Sequence, residues 1–183
     1  MVEGKEMLDL VLRRQSDRQY SNKPVEDEKL ERIITAGRMS PSACNAQPWK
    51  FIVVTDSRLI IDISKTATEK LTGMNSFVKQ AAALVVIVRE NPNFSSRIGS
   101  RIRKKDYSHY DIGIAAGTMC LQAAAEGIGS CILGWFDAAG VKKILSIPSS
   151  RKVELIITLG YSLSKYREKK RKPAEKTVAY NKY

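Results

Sequence analysis

The sequence predicts an α+β fold, laid out as one domain over residues 1–183. Three observations predict it. Short apolar runs at Phe51–Val54, Ala83–Val88, Cys131–Leu133 and Val153–Leu159 read as buried strands. Segments with apolar residues at helical spacing lie among them. The two kinds do not alternate strictly, as the crossovers of a doubly wound parallel sheet would require. With 183 residues, 43% hydrophobic and 27% charged, the chain is long enough for one ordinary soluble domain with a sizeable core.

Each element follows from its local pattern. Met7, Leu8, Val11 and Leu12 give Glu3–Arg14 one apolar helical stripe. Glu26, Asp27 and Glu28 suit the positive N-terminus of a second helix, which buries Leu30, Ile33 and Ile34 and is broken by Ser40-Pro41-Ser42. The strand Phe51–Val54 ends at Thr55-Asp56, and a third helix runs from Leu59 to about Leu71. The strand Ala83–Val88 stops at Asn91-Pro92, and the polar stretch Asn91–Lys105 reads as a mobile excursion from the core. A long small-residue helix covers Ile112–Glu126, followed by Cys131–Leu133, a short helix Val141–Leu145 before Pro148, and Val153–Leu159. Gly113, Ala116, Gly117, Cys120 and Ala124 form a small-residue stripe on the long helix. A glycine there costs ~1 kcal/mol against alanine. Tight packing within one subunit or a face for a second copy would each compensate it.

Charge narrows the function. The net charge is +12, which first suggests an anionic partner such as nucleic acid. The charge is concentrated in two places. Arg97, Arg101, Arg103, Lys104 and Lys105 form one cluster, and the tail from Lys165 to Tyr183 holds eight basic residues against Glu168 and Glu175. Each cluster also reads as a solvated surface run. One histidine and three cysteines, with no Cys-x-x-Cys, exclude a zinc ribbon or a thioredoxin motif, and no metal site is expected. Sparse, odd cysteines suit a reducing, cytoplasmic setting. Met1–Glu6 does not read as a signal peptide, and the longest apolar run, near Ile112–Ala125, is too short to span a bilayer.

Side-chain chemistry is scarce. A catalytic triad would need His109, which has no nucleophile elbow near it. Gly127-Ile128-Gly129 follows a helix and precedes a strand, the reverse of a dinucleotide fingerprint. An enzyme built this way borrows a cofactor. Two segments stand out. In Arg14-Gln15-Ser16-Asp17-Arg18, two guanidinium forks and a hydroxyl can converge on a phosphate. In Pro41-Ser42-Ala43-Cys44-Asn45-Ala46-Gln47-Pro48-Trp49, two prolines bracket a polar loop able to present Ser42 and Asn45 to a planar ring.

These two segments resemble the Arg-x-Ser-x-Arg and Pro-Ser-x-x-Asn-x-Gln-Pro-Trp motifs of the FMN-dependent nitroreductase family. The resemblance extends through Gly117–Gly129, Cys131-Ile132-Leu133-Gly134-Trp135-Phe136-Asp137, Leu159-Gly160-Tyr161 and Lys169-x-Arg171-Lys172-Pro173-x-Glu175. It implies a mixed, mainly antiparallel sheet between helical layers. It also implies an intertwined homodimer with FMN at the subunit interface, and a tail over 165–183 that reaches the partner.

By position, the resemblance implies that Arg14, Gln15, Ser16 and Arg18 bind the phosphate and pyrimidine side of FMN, with Lys169 and Arg171 completing the phosphate site. Pro41, Ser42, Ala43 and Asn45 would come from the partner. Asn75 would contact the flavin, and Ile132, Leu133 and Gly134 would pass backbone along the ring. The implied reaction is ping-pong hydride transfer, from NADH or NADPH through flavin N5 to a nitroaromatic, quinone or similar small acceptor. No side-chain nucleophile is needed, and Arg18 would tune the flavin. Many members carry Pro-x-Glu-Gly after the third strand, and this chain lacks that Glu. The Arg97–Lys105 cluster matches nothing in the family and could read a nucleotide 2′-phosphate. The resemblance gives neither nucleic acid nor membrane a role. A basic nucleic-acid-binding module and a flavin-binding protein with little turnover are the alternatives.

Overall fold

Four strands build the centre of the molecule: β1 (Trp49–Val54), β2 (Ala83–Arg89), β3 (Gly129–Leu133) and β4 (Lys152–Gly160). The computed structural model describes residues 4–69, 73–90 and 106–183. The strands form one sheet in the order β1-β2-β4-β3, and every neighbouring pair is antiparallel. β2 is the most continuously apolar of the strands because it is covered on both faces. Leu84, Val86 and Val88 point to one side, and Ala83, Val85 and Ile87 to the other, as the period of two dictates.

Among the described residues five helices accompany the sheet, α1 (Gly4–Arg13), α2 (Asp27–Arg38), α3 (Ser57–Ala67), α4 (Ser108–Ala125) and α5 (Ala138–Ile144), and the last four pack on its faces. The first face packs against Ile60 and Ile63 of α3 and Val141 of α5. The second packs against Leu30 and Ile33 of α2 and Ile112, Ala116 and Met119 of α4. The result is a helix–sheet–helix sandwich of α+β class. Asp56 caps α3 by accepting from the Arg58 and Leu59 amides, and Asp137 caps α5 through Ala139.

The sequence expectations hold with adjusted boundaries. Among the described residues the one parallel pairing is an isolated bridge, Ser16 to Ser130, and the four strands of the sheet are antiparallel throughout. α3 stops at Ala67, because Thr68 is already extended. α4 begins at Ser108, four residues before the first apolar position, since its opening turn Ser-His-Tyr-Asp carries no hydrophobic signal. The Asn91–Lys105 excursion, with its basic cluster, lies outside the described residues.

The small-residue stripe on α4 divides between its two readings. Ala116 and Cys120 are buried in this subunit's own core, whereas Gly113 and Gly117 face open space. Ile114 beside them is 45% exposed. α1 buries no residue at all, and Met7, Leu8, Val11 and Leu12 leave an apolar face in the open.

Candidate active site

Residues 15–21 leave α1 and run between two neighbours. On one side is β3, the edge strand of the sheet. The Asp17 amide donates to the Ser130 carbonyl at 2.9 Å. On the other side is the chain beyond β4. Ser21 N–H donates to the Tyr161 carbonyl and Leu163 N–H to the Gln19 carbonyl, both at 2.9 Å, around an antiparallel bridge between Tyr20 and Ser162. The Arg-x-Ser-x-Arg segment is thus held as an extra strand.

Buried polar groups lock it there. Tyr20 lies under the segment, its hydroxyl donating to the Asp17 carbonyl at 2.8 Å and pairing with Thr158 Oγ1 at 2.7 Å. Burial pushes the Tyr20 phenol far above its ordinary value, so it stays neutral. Asp17 is buried too, accepting from Ser162 Oγ at 2.7 Å and Gln15 Nε2 at 2.9 Å. A Cβ on Gly129 would sit 2.8 Å from Asp17 Oδ2. Gly129, which no dinucleotide motif explains, therefore makes room for this carboxylate.

The outcome is a cationic cavity of about 670 Å³. Arg14, Gln15, Ser16 and Arg18 line it from the N-terminal segment, and Arg167, Glu168, Lys169, Lys170 and Arg171 from the tail. The sequence expectations named six of these nine together: Arg14, Gln15, Ser16, Arg18, Lys169 and Arg171. Arg167 was missed, as a basic residue in a basic run carries no signal of its own. Lys169 also donates to the Leu12 carbonyl in the last turn of α1, where the helix dipole favours a cation. Its ammonium is held below the usual lysine value, first by desolvation and then by the neighbouring Arg14 and Arg171 charges. Crowded like charges of this kind fit a bound anion, and the flavin phosphate has the required chemistry.

The polar loop stands apart from this cavity. Its lining contains no residue of 41–45. The loop is rigid all the same. Cys44, Asn45 and Gln47 have φ of 53°, 50° and 46°, left-handed values that cost of order 1–3 kcal/mol each in a non-glycine residue. Cross-links hold them. Gln47 N–H donates to Ser42 Oγ at 3.0 Å, Gln47 Nε2 to Asn45 Oδ1 at 3.1 Å, and Ala43 N–H to the buried Asp111 carboxylate of α4 at 3.1 Å. Pro41 and Asn45 are exposed and Ser42 and Ala43 half-buried, so the loop faces outward.

Asn75 occupies a left-handed position with φ 66°. Its Nδ2 donates to the Ala67 carbonyl at 3.2 Å and to the Trp135 carbonyl at 3.0 Å. It thereby ties the end of α3 to the loop after β3. At the end of β3 Ile132 is exposed and Leu133 buried, and in the loop beyond it Gly134 is exposed and Trp135 is 69% exposed. The thiols of Cys120 and Cys131 are pushed up by burial and stay protonated. Among the described residues no helix is long and apolar enough to cross a membrane, and no group of three His, Cys, Asp or Glu could hold a metal ion.

An antiparallel sheet between two helical layers, with an arginine–serine segment strapped to its edge, defines a class. The chain matches the Nitroreductase family model over residues 11–73 and 63–161, and it belongs to the nitroreductase family. It is 29% identical over 174 residues to an oxygen-insensitive NADPH nitroreductase of Helicobacter pylori, covering 79% of this chain and 81% of that one. Among solved structures it is similar to an FMN-dependent nitroreductase of Clostridium difficile, with TM-score 0.79 and 29% identity over 96% of this chain and 99% of that one. It is also similar to the NADPH:FMN oxidoreductase of Vibrio harveyi complexed with NAD+, with TM-score 0.80 and 25% identity over 97% of this chain and 77% of that one.

Proposed function

We propose that this chain is an FMN-dependent NAD(P)H oxidoreductase of nitroreductase type. The observation that carries the reading is the convergence of Arg14, Ser16, Arg18, Lys169 and Arg171 on one cavity from opposite ends of the sequence. FMN, when bound there, would supply the redox chemistry: ping-pong hydride transfer between a nicotinamide nucleotide and a nitroaromatic, quinone or similar acceptor.

The chain's own residues bind and orient. Arg14, Ser16, Lys169 and Arg171 hold the phosphate by charge-assisted hydrogen bonds. Arg18 sets positive charge by the pyrimidine side of the ring, where electron density grows on reduction. The backbone of Ile132, Leu133 and Gly134 would help hold the ring, and Asn75 fixes the loop after it through the Trp135 carbonyl. Trp135 offers an exposed aromatic face beside that loop. Neither His109 nor a cysteine is needed as an acid, base or nucleophile.

A homodimer completes the site. The open apolar face of α1 and the uncovered side of α4 at Gly113, Ile114 and Gly117 supply the interface. The partner's outward loop brings Pro41, Ser42, Ala43 and Asn45 to the ring. Residues from Lys170 to Tyr183 are exposed throughout and extend toward the second subunit. Sedimentation or light scattering should give twice the 20.4 kDa chain mass. Turnover of a nitroaromatic and a quinone with NADH and NADPH tests the activity, and a purified protein that reduces neither with either nucleotide overturns it.

A further inference from the structure

Resting on the flavin reading above, we propose that Gln15 is a positioning residue rather than a cofactor ligand. Together with Arg167 it clips the tail so that Lys169 and Arg171 face Arg14 and Arg18. The argument begins with register. Ser21 pairs with Tyr161, Tyr20 with Ser162 and Gln19 with Leu163. One step further, the Arg18 amide reaches Ser164 Oγ at 3.3 Å instead of a backbone carbonyl. The backbone ladder ends there, two residues before the basic run begins.

Continuing the same register places Gln15 opposite Arg167. There the Gln15 side chain takes over the pairing. Its Oε1 accepts from the Arg167 amide at 3.1 Å, and its Nε2 donates to the Lys165 carbonyl at 3.2 Å and to Asp17 Oδ1 at 2.9 Å. Both amide hydrogens and one face of the carbonyl are therefore committed inside the protein. The Arg167 guanidinium returns the contact, donating from Nη2 to the Ser16 carbonyl at 2.7 Å. The clip sits between the last backbone bond of the ladder and Lys169, so it fixes where the tail cations fall. Asp17 anchors it from below, because that carboxylate is buried and also bound by Ser162.

The tests are Gln15→Leu and a comparison of FMN with riboflavin, which lacks the phosphate. The clip acts on the phosphate side alone. FMN should bind roughly 10-fold more weakly to the variant, the size of one charge-assisted hydrogen bond, while riboflavin affinity stays as in the wild type. A double-mutant cycle then separates positioning from direct contact. In a Lys169→Ala, Arg171→Ala background, Gln15→Leu should cost FMN binding nothing more. Hydrogen exchange on the flavin-free chain supplies a readout independent of cofactor. The Arg167 amide should exchange faster in Gln15→Leu while the Leu163 amide keeps its protection.

Wild-type FMN affinity in Gln15→Leu, an equal loss for FMN and riboflavin, or an undiminished loss in the background lacking both tail cations would each overturn the proposal. So would an unchanged Arg167 exchange rate. A wild-type chain that takes up neither flavin would instead sink the functional reading, and the exchange experiment would still decide the clip.

Discussion

Two arginine-rich regions of this chain carry their charge in opposite ways. Around Arg89, cations are matched by carboxylates. Arg89 Nη1 lies 2.7 Å from Asp106 and its Nε 2.9 Å from Glu154, with His109 also beside Glu154 at 3.6 Å. Arg151 nearby pairs with Glu90 at 3.0 Å. Around Arg14 the balance is different. Arg14, Arg18, Lys169 and Arg171 share one cavity, and among the described residues none of the four forms a salt bridge with a carboxylate. Matched cations tie elements of the fold together, here the end of β2, the start of α4 and β4. Cations gathered in excess, with Glu168 the one acid in the lining and no salt bridge to it, make a receptor for an anion from outside. Net charge alone does not separate these roles, whereas pairing does.

The sharpest way to break this comparison is to remove one arginine from each region. Arg14→Ala should weaken FMN by ~1.5–3 kcal/mol, roughly 10- to 150-fold, and leave thermal stability of the flavin-free chain within error. Equilibrium dialysis and a melting curve read the two quantities. Arg89→Ala should do the reverse. It leaves the mostly buried Glu154 carboxylate without its strongest partner, so stability should fall by about 1–3 kcal/mol in urea unfolding while FMN affinity holds. If both variants lose FMN equally, the distinction between the regions fails.

A smaller effect is expected from pH. Lys169 is depressed by desolvation and by Arg14 and Arg171. A phosphate reverses the two charge contributions, so FMN affinity should fall as pH rises through that depressed value, before the ordinary lysine range near ~10.4. The stability of the flavin-free chain moves the other way. A cation with a lowered folded pKa destabilises while charged, so stability should rise over the same window. A Lys169→Ala variant should flatten both profiles.

The smallest effect belongs to a matched surface group. Tyr161 donates to Glu26 at 2.7 Å, and this bond, the largest cause, lowers the carboxyl to about 2. Its contribution is complete above the unfolded carboxylate value of ~4.3 and is lost as pH falls through about 2. Tyr161→Phe should move the Glu26 titration back up in a carbon-detected NMR experiment.

How legible each part was depended on whether packing or pairing shaped it. β2 and the body of α4 were readable because burial leaves an apolar pattern, on both faces for β2 and on one stripe for α4. The start of α4 was not, because Ser108–Asp111 is polar and is held instead by Asp106, which accepts from the Ser108 amide, and by the Asp111 contact to Ala43. The site motifs at Arg14–Arg18 and Lys169–Arg171 were visible as residue types. Their meeting was not, because the ladder joining 15–21 to 161–167 uses backbone atoms and the side chains of Gln15 and Arg167. Polar residues pairing through backbone leave no periodicity. Asp17 and Gly129 were silent for a related reason: each makes sense only beside the other.

The central claim is that the unmatched cations hold a flavin phosphate for nicotinamide-dependent reduction. An anaerobic titration of the purified protein, reconstituted with FMN, with NADH and then NADPH, followed by visible absorbance, tests it most directly. The account predicts tightly bound flavin whose absorbance bleaches with one equivalent of nucleotide and returns on adding a nitroaromatic or quinone. A chain that stays colourless after reconstitution, and instead binds DNA with a steep salt dependence, would contradict it.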